Sequence, residues 1–204
     1  MGWSGAGSGG NTHGVNPVDV SSPFRAVAFS GSLRAGSSNT GLVHLAARLA
    51  PAELSVEVVD WVGDLPYYNP DLEAALPEVA VNWRAAVEAA DAVIIGMPEY
   101  NFGPSGLAKN ALDWLTRPLG THALRGKVVA MLTSGGKGGG SMVQPGIGGI
   151  IGLLGNTVVE EPKVNIAAGG TRIAGDGTTD DAEIVDLVTQ KLANVVAALQ
   201  APKA

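Results

Sequence analysis

Five short apolar runs, each followed by a segment of helical spacing, constrain the fold of this chain more than any other feature. The runs cover residues 25–30, 55–61, 91–97, 127–133 and 157–166. Helical patterns follow at 39–49, 77–90, 106–116, 141–154 and 180–199. In the first helix Leu42, Leu45, Ala46 and Leu49 fall on one face. The third run, Asp91-Ala-Val-Ile-Ile-Gly-Met97, is apolar without alternation, the pattern of a parallel strand covered on both sides. Strands that alternate with helices predict an α/β fold. The expected form is a doubly wound, five-stranded parallel sheet in the order 2-1-3-4-5, with helices on both faces. Ligands of such sheets bind beyond the carboxyl ends of the strands, so chemistry is expected in the loops after strands one, three and four.

The chain has 204 residues, 46% of them hydrophobic and 16% charged, which fits one globular domain. That domain is expected over residues 24–204, with no internal repeat. Residues 1–23 hold six glycines among the first 14 and bury too little to offset the entropy of ordering, so they read as a flexible Gly/Ser-rich tail. His13, within that tail, reads as solvated. The absence of cysteine excludes disulfides, thiolate metal sites, cysteine nucleophiles and iron–sulfur clusters, and is compatible with a reducing cytoplasm. A net charge of −6 disfavours binding to a phosphate polymer. No apolar run approaches the ~18 residues of a membrane helix, and the first 23 residues lack the basic and apolar regions of a secretion signal. There is no H-E-x-x-H, no cluster of histidine with carboxylates and no G-x-S-x-G, so neither a metal site nor a serine nucleophile is expected. His122 reads as a surface residue, and Trp114 as core or interface. Asp180 and Asp181 read as a pair opening the last helix.

Three loops remain. The first, Ser30-Gly-Ser-Leu-Arg-Ala-Gly-Ser-Ser-Asn39, gathers four serines, Arg34 and Asn39 where a helix begins. Free N–H groups and a positive dipole end there suit a phosphate, and Arg34 adds a planar fork. The competing reading is ordinary capping and turn chemistry. The loop is neither a P-loop nor a G-x-G-x-x-G fingerprint. The second, Met97-Pro-Glu-Tyr-Asn-Phe-Gly-Pro-Ser-Gly106, is stiffened by proline and carries two aromatic faces. Its carboxylate, Glu99, reads as an acid or base, or as a structural hydrogen-bond acceptor. The third, Ser134-Gly-Gly-Lys-Gly-Gly-Gly-Ser141, has five glycines in eight residues. It either lets main chain lie against a ligand ring or is simply a flexible loop.

Taken together, Gly31-Ser-Leu-Arg-Ala-Gly-Ser-Ser-Asn39, Pro98-Glu-Tyr-Asn101 and Lys109-Asn-Ala-Leu-Asp-Trp114 resemble the NADPH-dependent FMN reductase family of flavodoxin-like quinone, chromate and azo-dye reductases. The resemblance covers residues 24–199. It implies that Ser32, Arg34, Ser37, Ser38 and Asn39 hold the FMN phosphate. It implies that Pro98, Glu99, Tyr100 and Asn101 flank the ring and ribityl chain, and that Ser134, Gly135 and Gly138 meet the ring. NADPH or NADH is then the co-substrate and a small-molecule electron acceptor the partner. No catalytic side chain is expected, since hydride passes through the flavin. A homodimer or homotetramer is implied, with the Trp114 helix near the contact. The sequence departs from the family in the displaced Pro104, the small Ala108 and the glycines of the helix at 141–154. Two neighbouring readings share the fold: a reductase that releases reduced FMN to a partner, and an electron carrier without NAD(P)H activity.

Overall fold

The computed structural model describes residues 24–202. The expected tail, 1–23, lies outside the described residues. The elements are β1 (Phe24–Ser30), α1 (Ser38–Arg48), β2 (Leu54–Val59), α2 (Glu78–Glu88), β3 (Ala92–Gly96), a small hairpin of β4 (Glu99–Tyr100) and β5 (Gly103–Pro104), α3 (Gly106–Leu115), β6 (Val128–Gly135), α4 (Val143–Leu153), β7 (Thr157–Ala167) and α5 (Ala182–Gln200). The large sheet runs β2-β1-β3-β6-β7, and every pairing in it is parallel. Counted over its own five strands, that is the predicted order 2-1-3-4-5.

Period-two alternation sorts the side chains of each strand onto the two faces. Val27 and Phe29 of β1 and Val93 and Ile95 of β3 join a core with α2, α3 and α4. Ala26, Ala28, Ala92 and Ile94 join a second core with α1 and α5. Trp83 anchors the first core. Its ring meets Phe29 edge-on at 5.1 Å, and its Nε1–H donates to the Ala111 carbonyl at 3.0 Å, so a large apolar side chain is buried with its polar atom satisfied. Trp114 is likewise core, donating to the Pro66 carbonyl at 2.8 Å.

The structure corrects the reading of His122, which is buried rather than at the surface. Its Nδ1 finds no hydrogen-bond partner among the described residues. Burial, and then the charge of Arg125, hold its pKa below the usual histidine value. β7 slips in register, so that residues 160–163 stand opposite Met131 alone. Lys191, buried on α5, donates to the carbonyls of Val159 at 2.9 Å and Glu160 at 2.8 Å where the slip begins. Desolvation lowers its pKa from 10.5 to about 8.

Candidate functional site

The switch point of the sheet lies between β1 and β3, where the chain first winds one way and then the other. The carboxyl ends of β1, β3 and β6 face one cleft of about 270 Å3. Three segments wall it, and each is fixed to another by hydrogen bonds to main chain.

The first wall is the β1–α1 loop. Ser37 caps α1, its Oγ accepting from the Thr40 N–H at 3.5 Å. The other N–H groups of the first turn have no acceptor within the helix. They open on the cleft beside Ser32, Arg34, Ser37, Ser38 and Asn39. Arg34 is exposed, and among the described residues it forms no ion pair. A free guanidinium beside an open helix N-terminus is the donor set a phosphate requires. The capping reading is realised at Ser37, and other atoms of the same loop remain available to an anion.

Gly31 sets the approach of that loop to the second wall. A Cβ there would stand 2.6 Å from Ala108 Cβ, 2.8 Å from Ser105 Oγ and 2.9 Å from Pro98 Cδ. Ser105 fills the same junction: its hydroxyl donates to the Gly31 carbonyl at 2.6 Å and accepts from the Ala108 N–H at 3.2 Å, capping α3. The small Ala108 leaves room for this contact.

The second wall continues through buried Pro98 into the hairpin. Asn101 and Phe102 turn it with φ of 52° and 64°. Both are in the left-handed region, the signature of a tight two-residue hairpin turn. Tyr100 and Phe102 are largely exposed. Glu99 reaches the start of α4: its Oε2 accepts from the N–H groups of Met142 at 2.8 Å and Val143 at 2.9 Å. Helix α4 has no side-chain cap of its own, so a carboxylate from the hairpin caps it. Of the two readings of Glu99, the structural acceptor is the one observed.

The third wall follows β6, which runs two residues further than the sequence pattern indicated, to Gly135. Asn39 holds its end. The amide Nδ2 donates to the Ser134 carbonyl at 2.9 Å, and Oδ1 accepts from the Ser134 N–H at 2.9 Å. Ser134 Oγ donates to Ser38 Oγ at 2.8 Å. Asn39 thus binds main chain with both ends of its amide and acts first as a positioning residue. Beneath it, Thr133, Gln144 and Asn165 form a polar network, with Gln144 Nε2 donating to Thr133 Oγ1 at 3.1 Å and to Asn165 Oδ1 at 2.6 Å. Gly136 and Gly170 also line the cleft, and a Cβ on either would meet nothing within 4 Å.

The cleft therefore brings together Ser32, Arg34, Ser37, Ser38, Asn39, Pro98, Glu99, Tyr100, Ser134 and Gly135. Asn101 lies at the exposed hairpin turn and Gly138 in an exposed turn after β6; neither is part of the lining. Ser105, Gly136 and Gly170 escaped sequence reasoning. Ser105 carried a signal, since it precedes the helical run as a cap should. Gly170, which follows β7, carried none.

Comparison with known proteins agrees with this geometry. The family model described as NADPH-dependent FMN reductase matches residues 24–171. A 2-hydroxy-1,4-benzoquinone reductase of Burkholderia sp is 38% identical over 148 residues, covering 72% of this chain and 80% of the relative. A probable NADPH:quinone oxidoreductase 2 of Oryza sativa subsp. japonica is 36% identical over 184 residues, 87% of this chain and 88% of the relative. Among solved structures, FerB, a flavoenzyme NAD(P)H:(acceptor) oxidoreductase from Paracoccus denitrificans, superposes with a TM-score of 0.78 at 31% identity, covering 87% of this chain and 97% of that one. A flavodoxin-like sheet with its three cleft walls in place, matched over most of its length by these relatives, makes this chain a member of the NADPH-dependent FMN reductase family, an NAD(P)H-dependent oxidoreductase with FMN as its cofactor.

Proposed function

We propose that the cleft holds FMN with its phosphate on the N-terminus of α1, and that the enzyme reduces quinones and related acceptors, chromate and azo compounds included, by a ping-pong mechanism. The carrying observation is the convergence of a helix start with spare N–H groups beyond its Ser37 cap, a free Arg34 and side-chain-free main chain at Gly135, Gly136 and Gly170 on one cleft. When bound, FMN supplies the two-electron chemistry, accepting hydride from NAD(P)H and passing it on. The chain supplies the rest. Ser32, Arg34, Ser37 and Ser38 orient the phosphate. Pro98, Tyr100 and the 134–136 main chain flank the ring, with Asn101 and Gly138 bordering this region. Glu99, engaged by α4, transfers no proton. One open mouth serves nicotinamide and acceptor in turn, which is the physical origin of ping-pong kinetics here.

The small molecules are the partners in turnover, and a second copy of the chain is the structural partner. Exposed Leu119 and Ile150 line a groove of about 320 Å3 between α3 and α4 with Leu112 and Ile147, and Leu153 is exposed on α4 as well. Covering such a face is the reading behind a homodimer or homotetramer. No helix among the described residues is long and apolar enough to cross a membrane, and the lack of cysteine suits the cytoplasm.

The test is the visible spectrum of the purified protein. Flavin bands that bleach under anaerobic NADPH and return on adding a quinone, with parallel double-reciprocal plots, are expected. A colourless protein that takes up no added FMN would sink the reading.

A further inference from the structure

Arg34 is the cation of the cleft lining, and the phosphate cradle accounts for it; a second cation follows the lining residue Gly136 in the chain. The second is Lys137. The carbonyl of Gly136, a lining residue, accepts from the Gly139 N–H at 3.3 Å and from the Ala168 N–H at 3.0 Å. The first bond closes a four-residue turn with Lys137 and Gly138 at its centre. The second ties the base of that turn to the segment leaving β7. Gly139 presses the turn onto β7 so closely that a Cβ would stand 2.6 Å from the Asn165 carbonyl carbon. Lys137 therefore sits at the exposed tip of a pinned turn, one residue from the cleft lining.

Its charge is unspent. Among the described residues Lys137 forms no ion pair. The carboxylate of the cleft, Glu99, is taken by the N–H groups of Met142 and Val143. In a chain of net charge −6, two unpaired cations on one rim mark a place for more than one anionic group. They stand on different walls. β1 and β6 both pair with β3, so their loops leave the sheet two strand spacings apart, roughly 10 Å. FMN carries one phosphate, which the β1–α1 loop accommodates. The reducing substrate carries a pyrophosphate and, as NADPH, a 2′-phosphate as well.

We propose that Lys137 binds a phosphate group of the nicotinamide dinucleotide and so helps select the reducing substrate, while the FMN phosphate is left to α1 and Arg34. This rests on the reading of the cleft as the flavin site. Its glycine neighbours, Gly136 and Gly138, leave the ammonium unshielded and free to follow a ligand that must arrive and depart in each cycle.

Calorimetric titration of the FMN-loaded protein with NADP+ and NAD+ tests it, alongside fluorescence titration of the apoprotein with FMN. K137Q is expected to weaken NADP+ about fivefold, K137R to restore it, and FMN affinity to stay within about twofold of the parent. Weakened NADP+ with unchanged NAD+ identifies the 2′-phosphate as the contact, and equal weakening of both identifies the pyrophosphate. Unchanged NADP+ binding in K137Q, or a loss of FMN affinity alongside it, overturns the proposal. Parent protein that binds no FMN removes the flavin reading and the proposal with it, and that failure is visible before any variant is made.

Discussion

Replacing Asn39 by alanine tests the most exacting piece of construction in the cleft. The parent amide satisfies both the N–H and the C=O of Ser134, each at 2.9 Å, and Ser134 is itself 3% exposed. Truncation strands both groups away from water. A stranded buried group costs about 1–3 kcal/mol, so the pair costs about 2–6 kcal/mol. For a domain of this size that is a fall in Tm of about 4–24 °C. FMN affinity should fall in parallel, because the 134–136 segment loses the contact that fixes it against α1. Thermal melts and urea titrations of apoprotein, with FMN titrations alongside, measure both. Asn39→Asp sharpens the test. It keeps the acceptor for the Ser134 N–H but sets a second carboxylate oxygen against the Ser134 carbonyl. Its deficit should therefore shrink as pH falls and the carboxylate takes up a proton that can donate. An N39A protein within about 0.5 kcal/mol of the parent would show that the amide clamp contributes nothing and would refute the argument.

Arg34→Ala should remove a charge-assisted contact at an exposed site, raising the Kd for FMN about tenfold, or about 1.5 kcal/mol, with Tm of the apoprotein unchanged; equal FMN affinity would contradict the phosphate assignment. Glu99→Ala uncaps α4 and should cost about 1 kcal/mol of stability, whereas Glu99→Gln, which keeps an acceptor oxygen, should recover much of it. A flat pH–rate profile change in E99Q is expected as well, and the loss of one titrating limb would restore a proton-transfer role. For Lys191 the folded chain gives up its proton near pH 8, and the unfolded chain holds its own to 10.5. More protons are then bound unfolded than folded between those values, so this group makes stability rise with pH across that window, by at most about 1.4 kcal/mol per unit, and contributes no slope below it. Urea melts from pH 7 to 10.5 should show the rise in the parent and not in Lys191→Met; parallel curves would dismiss it.

The sheet was legible because its strands are covered on both faces. Runs such as Ala92-Val-Ile-Ile-Gly96 have no polar interruption to disguise them, and the alternation of strand and helix leaves few topologies. The walls of the cleft were legible as residue types, not as contacts. Asn39 could be placed at a helix start, but its partner Ser134 lies 95 residues away, and nothing local announces the pairing. Glu99 was likewise divided between two roles until α4 supplied the N–H groups that decide it. His122 was misread because its Gly-Thr-His setting has the composition of a surface turn; burial comes from the tertiary packing around it, which local composition does not encode. The hairpin at 99–104 was hidden behind two prolines that usually break strands.

β7 is an outermost strand, and such strands offer unpaired backbone groups to any extended chain that drifts past. Residues 160–163 interrupt that offer. Pro162 has no N–H to give, Glu160, Glu161 and Lys163 bring charge to the break, and Lys191 already occupies two carbonyls there. A passing segment finds no continuous ladder to extend, so the flank stays a boundary of the fold and resists templating open-ended aggregates, even in a crowded solution.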